Sequence, residues 1–166
     1  MLGIKAFFME GDDAKDIMIK NIMIATDGSD TSKKAAEVGI EIASRSKGSI
    51  TAVYVVDVFR LSHIPGYATF PGLKDKLLEL MEREGIEATE SVEDMANDAG
   101  IACQKLIARG EPSKELLRIS LESEADLLIM GSVGRTGLDK IILGSVAEKV
   151  VRNSVVPVLL VPGDRA

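Results

Sequence analysis

Three glycines and a serine carry the chemistry that can be read most directly from this chain. Gly131 and Gly134 stand with two residues between them, and Gly144-Ser145 follows after nine more. Glycine lets a backbone approach an anion with no Cβ in the way. Upstream, Asp126-Leu127-Leu128-Ile129-Met130 is an acidic residue followed by an unbroken apolar run, the pattern of a strand buried on both faces of a parallel sheet. Downstream, Ser145-Val146-Ala147-Glu148 has the Ser-x-x-Glu spacing of a capping box and predicts the opening of a helix. The glycines therefore fall between the end of a buried strand and the start of a helix, where open α/β sheets bind ligands. Amides at a helix start have no intrahelical acceptor and carry a partial positive charge, so the chemistry expected here is phosphate binding.

Other chemistries lack their residues. There is no Gly-x4-Gly-Lys-Ser/Thr loop, no Gly-x-Gly-x-x-Gly dinucleotide fingerprint and no Gly-x-Ser-x-Gly nucleophile elbow. No lysine directly follows Gly144, so backbone amides must carry most of the phosphate binding. A Mg2+ or Mn2+ ion would then be held mainly through the phosphates, with water. Arg135 reads as a solvated side chain. His63 is the sole histidine and reads as a loop surface residue rather than a base. Cys103 is the sole cysteine, which excludes an internal disulfide and a cysteine-rich zinc site, and it reads as a small core residue. Asp27 and Asp57 are too few for a metal pair. No catalytic residue and no protein-held metal is expected, and a binder ranks ahead of an enzyme.

Composition narrows the partners. The chain has 166 residues, 46% of them apolar and 28% charged, an ordinary globular balance with enough length for a sizeable core. Its net charge of −6 repels nucleic-acid backbones and anionic membranes. No apolar run approaches the ~20 residues of a membrane span. Phe7, Phe8 and Met9 are followed at once by Glu10, Asp12 and Asp13, which is not a signal peptide. A cytoplasmic protein is expected.

The elements that must position the glycines follow from apolar patterning. Residues 1–17 show no clear period and read as an N-terminal extension to a domain over 18–166. Ile22–Ala25 predicts a first buried strand, and Thr26-Asp27-Gly28-Ser29-Asp30 a turn with helix-start residues. Ala35, Ala36, Gly39, Ile42 and Ala43 recur at helical spacing to about Ser46, where Lys47-Gly48 ends the helix. A second strand is expected over Ile50–Val56, with Asp57 at its end. Residues 58–72, with two prolines and two glycines, predict an irregular loop on the same rim as the glycines, read as a lid. A long amphipathic helix follows, with a bend expected near Gly85. Ile101–Ala108 reads as an edge strand of mixed polarity. Pro112 suits the first turn of the next helix. After Asp126–Met130 and a helix over Ser145–Asn153, Val158–Val161 is the last strand. The alternation β-α-β-α-β-α-β-α-β argues for a parallel sheet with helices on both faces.

The spacing Gly131-x2-Gly134-x9-Gly144-Ser145 resembles the ATP-binding signature of the universal stress protein family. Gly131–Leu138 (Gly-Ser-Val-Gly-Arg-Thr-Gly-Leu), Leu143–Glu148, Val156–Val161 and Ile22–Ser29 are similar to that family as well. The resemblance runs from about Lys20 to Pro162. It implies a single-domain Rossmann-like sandwich of the adenine nucleotide alpha hydrolase-like kind, with a five-stranded parallel sheet in the order 3-2-1-4-5. It further implies an ATP site built from Ala25, Thr26 and Asp27 at the first strand's end and Val55 on the second strand. Met130, Gly131 and Gly134 follow the fourth strand, and Gly144, Ser145 and Val146 close the phosphate end. A homodimer through Val158–Val161 is implied too. The expected function is that of a nucleotide-dependent regulatory switch in the stress response. A slow ATP hydrolase or adenylyl-transferring enzyme of the same architecture is the alternative.

Overall fold

A computed structural model describes residues 19–65, 69–134 and 143–163. The expected extension at 1–17 lies outside these residues, as do Tyr67 of the expected lid and Arg135. The chain runs β1 (Asn21–Ala25), α1 (Asp30–Ser46), β2 (Ser49–Asp57), α2 (Val58–Ser62), α3 (Leu73–Asp98), β3 (Cys103–Gly110), α4 (Pro112–Glu122), β4 (Leu127–Gly131), α5 (Ser145–Asn153) and β5 (Val158–Val161). All four pairings are parallel, and the sheet order is β3-β2-β1-β4-β5. It is the α/β architecture and strand order that the resemblance implies.

The period-2 alternation of side chains divides the core between two faces. In β1, Ile22 and Ile24 pack with Ala35, Ala36 and Ala43 of α1 and Val92 and Ala96 of α3. Met23 and Ala25 turn the other way, toward Leu116 and Ile119 of α4 and Ala147 and Val150 of α5. The buried stretch of a central strand must therefore be apolar throughout, and Ile22–Ala25 of β1 and Leu127–Met130 of β4 are. Small residues set how near a helix can lie. A Cβ on Gly39 would stand 2.6 Å from Cδ1 of Ile24, closer than real side chains come.

One expectation changes. Residues 58–72 are not wholly irregular: Val58–Ser62 form the helix α2, opened by the Asp57 carboxylate, which accepts from the Arg60 amide at 2.9 Å. A polar residue at a strand end followed by a short apolar-polar run is enough for one turn of helix when its first amides are capped. At Gly85, α3 is unbroken. The glycine serves close packing, since a Cβ there would stand 2.7 Å from the ring of Tyr54.

One long-range clamp sets the starting ends of the central strands. The carboxylate of Asp126 accepts the amides of Lys20 and Asn21, each at 2.8 Å. The Asp126 amide donates to the Asn21 carbonyl at 2.8 Å. The acidic residue ahead of the apolar run is thus the lock between β1 and β4. Asp126→Ala is expected to lower the unfolding free energy by about 1.5–3 kcal/mol, the range for losing hydrogen bonds to a charged group. Urea titration measures it, and an unchanged midpoint would show that the clamp contributes nothing.

Candidate nucleotide cleft

The parallel sheet places the C-terminal ends of all its strands on one rim, and β1 and β4 are neighbours whose connections leave toward opposite sides. That divergence opens a crevice at their ends. A cleft of about 370 Å³ lies there, within the range of small-ligand sites. Each of the expected residues lines it: Ala25, Thr26 and Asp27 from β1 and its turn, and Val55 from β2. Met130, Gly131 and Gly134 come from β4 and its loop, and Gly144, Ser145 and Val146 from the start of α5.

The turn after β1 is held by side-chain-to-backbone bonds. Thr26 is buried, its amide donates to the Val53 carbonyl at 2.9 Å, and its hydroxyl accepts from the Gly28 amide at 3.2 Å. Asp27 Oδ1 accepts from the Ser29 amide at 3.0 Å. Gly28 takes φ +77°, the left-handed region in which glycine is favoured. Ser29 then caps α1, its hydroxyl accepting from the Ser32 amide at 3.2 Å. Asp27 thus supports the turn, while Ser29 is the cap.

The opposite wall is the loop after β4 and the first turn of α5. The Ser132 amide donates to the Val161 carbonyl at 2.9 Å, and the Gly144 amide to the Ser132 carbonyl at 2.8 Å. These bonds bring Gly144 back against the 132–134 turn and aim the chain into α5. The N-cap of α5 is Gly144, with no side-chain capping bond. Ser145 is therefore the first helical residue, and the capping-box expectation is corrected. The Gly144 backbone, fixed by Ser132, occupies the cap position one residue earlier. The amides of Ser145, Val146 and Ala147 have no intrahelical acceptor, and all three residues line the cleft.

The glycines also have local reasons. A Cβ on Gly131 would stand 2.8 Å from Cγ2 of Thr31, one on Gly134 2.9 Å from Oδ2 of Asp27, and one on Gly144 3.3 Å from the Ser132 carbonyl oxygen. The cleft's two walls therefore meet through glycine, with Gly134 directly against Asp27.

Sequence reasoning had no means of finding several other lining residues. Met81 arrives from α3, Pro112 and Leu116 from α4, and Arg60 from α2. Their places depend on how helices lean over the rim, for which apolar period carries no signal. Asp57, noted in the sequence, lines the cleft as well. Beside Pro112, the ammonium groups of Lys114 and Lys149 hold the Glu111 carboxyl down at about 2. Lys149 Nζ lies 3.0 Å from Glu111 Oε1, so this pair links the start of α4 to α5 across the cleft's flank.

The remaining chemistry-bearing residues lie elsewhere. His63 is exposed, with Nδ1 2.8 Å from the Phe59 carbonyl oxygen. Cys103 is half-buried at the far end of edge strand β3, and burial pushes its thiol pKa up, away from a reactive thiolate. Among the described residues no group of three His, Cys, Asp or Glu side chains is placed to hold a metal ion. No helix among them is long and apolar enough to cross a membrane. A second recess of about 250 Å³ opens behind Thr26 between α1 and α3, where Glu84 and Glu87 face Lys33. It lacks the helix-start amides that suit an anion.

Comparison with known proteins gives a consistent result. Residues 18–162 match the profile of the Universal stress protein family. The chain is 39% identical over 144 residues to Universal stress protein MJ0531 of Methanocaldococcus jannaschii, an alignment covering 87% of this chain and 82% of that protein. Among solved structures, the hypothetical protein MJ0577 of the same organism superposes with a TM-score of 0.75 at 29% identity, over 90% of this chain and 99% of that one. A universal stress protein solved in complex with cAMP superposes with a TM-score of 0.61 at 26% identity, over 87% and 98% of the respective chains.

Proposed function

This chain belongs to the universal stress protein family, and from that premise we propose that it is an ATP-binding regulatory protein whose bound nucleotide switches its shape or its affinity for a partner. One observation carries the reading. Three amides without intrahelical acceptors, at Ser145, Val146 and Ala147, open a helix onto the same cleft that the ends of β1, β2 and β4 line. A phosphate at the start of α5 gains those donors and the positive end of the helix dipole. The half-buried Val55 and the buried Met130 and Leu116 offer an apolar floor to a base, and Asp27 an acceptor to a ribose hydroxyl or a base amine. The solved relative with cAMP supports an adenine nucleotide as the class of ligand.

Among the described residues the charges lining the cleft are two aspartates and one arginine. A divalent ion held mainly by the phosphates and water would offset the repulsion between a triphosphate and those carboxylates. Switching requires that the nucleotide bind two states with different affinity. A homodimer through Val158–Val161 and a place in the cytoplasm complete the proposal. Slow hydrolysis would make the switch a timer. Turnover above about one per second would instead favour an enzyme.

Equilibrium dialysis against millimolar Mg-ATP, Mn-ATP, AMP and cAMP tests the reading. Retention of ATP, strengthened by the divalent ion, is expected. Retention of AMP or cAMP without ATP would remove the triphosphate from the proposal. Retention of no nucleotide would overturn it.

A further inference from the structure

The structure describes six arginines, and five of them are ion-paired: Arg45 with Glu41, Arg83 with Glu79, Arg109 with Glu82, Arg118 with Glu115 and Glu122, and Arg152 with Glu148. Among the described residues Arg60 alone has no carboxylate partner, and it is the only cationic side chain of the cleft lining. In a chain of net charge −6, carboxylates are plentiful. Asp57, three residues away, is occupied at Oδ1 by the Arg60 backbone amide.

The place of Arg60 along the cleft follows from the sheet. α2 leaves the end of β2, whereas α5 follows β4, and β1 lies between these strands. At the usual strand spacing the two positions are about 10 Å apart. Arg60 thus stands at the end of the cleft remote from the α5 amides. Val55, near the end of the same strand, lines the cleft too, as does Met81. The aliphatic floor covers one face of a base, a flat partner would cover the other, and the described lining has one aromatic residue, Tyr54. That ring is 4% exposed and packs against Gly85, so its face is committed to α3. The guanidinium is the remaining flat, polarisable surface. It is weakly hydrated and stacks flat on aromatic faces, whereas a lysine offers only a strongly hydrated point charge with no plane to stack.

We infer that Arg60 is a specificity-determining residue of this cleft, closing over the face of a purine base at the β2 end while the phosphates occupy the α5 end. The inference rests on the nucleotide reading above and adds base selection to it. The larger purine ring offers more area to the guanidinium than a pyrimidine, so the contact favours ATP over CTP.

Calorimetric titration of the full chain tests this with ATP, ADP, AMP, adenosine and CTP, for the wild type, Arg60→Ala and Arg60→Lys. Arg60 is exposed, and circular dichroism checks that both variants fold. Arg60→Ala is expected to weaken ATP, ADP, AMP and adenosine by a similar factor, about 3- to 10-fold. Arg60→Lys keeps the charge without the plane and should recover only a minor part of that loss, equally for all four ligands, and the preference for ATP over CTP should shrink in both. A loss that grows with phosphate number and is rescued by lysine would overturn the inference in favour of a point charge on phosphate. Unchanged affinity in Arg60→Ala would overturn it outright while leaving nucleotide binding intact. A wild type that binds no nucleotide would overturn the nucleotide reading, and this inference with it.

Discussion

Gly144→Val is expected to lower ATP affinity at least ~10-fold, or about 1.4 kcal/mol, in a protein that still folds. Gly144 is the N-cap of α5, with φ −61° and ψ 145°, a conformation open to any residue. Its substitution therefore acts through space. A Cβ there lies 3.3 Å from the Ser132 carbonyl oxygen and 3.5 Å from Cα of Val133. The two further methyls of valine would press on the 132–134 turn and cover the amides at the head of α5. Gly144→Ala adds only the Cβ, which a shift of a few tenths of an ångström relieves, and a smaller loss is expected. Gly134→Val should match or exceed the effect of Gly144→Val, because its Cβ meets Oδ2 of Asp27 at 2.9 Å and displaces the opposite wall too. Calorimetry with a folding control measures all three. Folded valine variants that bind ATP as the wild type does would show that the phosphates lie elsewhere.

Light scattering is expected to find the wild type at twice the chain mass, and Leu160→Pro shifted to the monomer. β5 pairs only with β4 among the described strands. The bonds from the Leu128 amide to the Pro157 carbonyl and from the Ser132 amide to the Val161 carbonyl set which backbone groups face inward. In a parallel ladder this alternation turns residues 157, 159 and 161 toward β4 and residues 158 and 160 toward the open edge. Leu160→Pro thus removes a donor from the edge and leaves the β4 ladder intact, where an edge strand tolerates proline. Val158→Lys places a charge on the same strand and should act in the same direction. The opposite edge shows what protection looks like. β3 carries Lys105, 2.7 Å from Glu93, and Arg109 paired with Glu82. β5 is four apolar residues with no charge, an edge that invites a second strand. An antiparallel partner about a two-fold axis would close the assembly at two chains. A wild type that stays monomeric at millimolar concentration would refute the dimer.

The two edges also show how far the sequence could be read. Burial on both faces requires unbroken apolar runs. Ile22–Ala25 and Leu127–Met130 could therefore be recognised as central strands, and the polar mixture in β3 as an edge. Glycine spacing between a buried strand and a helix start located the cleft, since few other local patterns place three glycines there. The Lys47-Gly48 stop was legible because helix ends are written in neighbouring residues, and Lys47 indeed takes φ 52° at the C-cap.

Whatever depended on residues far apart in the chain was decided by the tertiary structure. Pattern alone did not order the strands; the family resemblance implied the order, and the pairings of β1 with β2 and β4 settle it. Ser145 has the sequence of a cap, yet Gly144 is the cap, because its amide is held by Ser132, twelve positions earlier. Gly85 is where α3 meets the Tyr54 ring, a contact that no local pattern announces. Asp126 clamps Lys20 and Asn21 across more than a hundred residues. Arg60 sat in a stretch read as loop, and only the capped turn of α2 brings it to the cleft. Local sequence determines which segments become strands and helices, because burial and capping act over a few residues. Packing between segments then decides which side chain stands beside which, and with it the lining of the site.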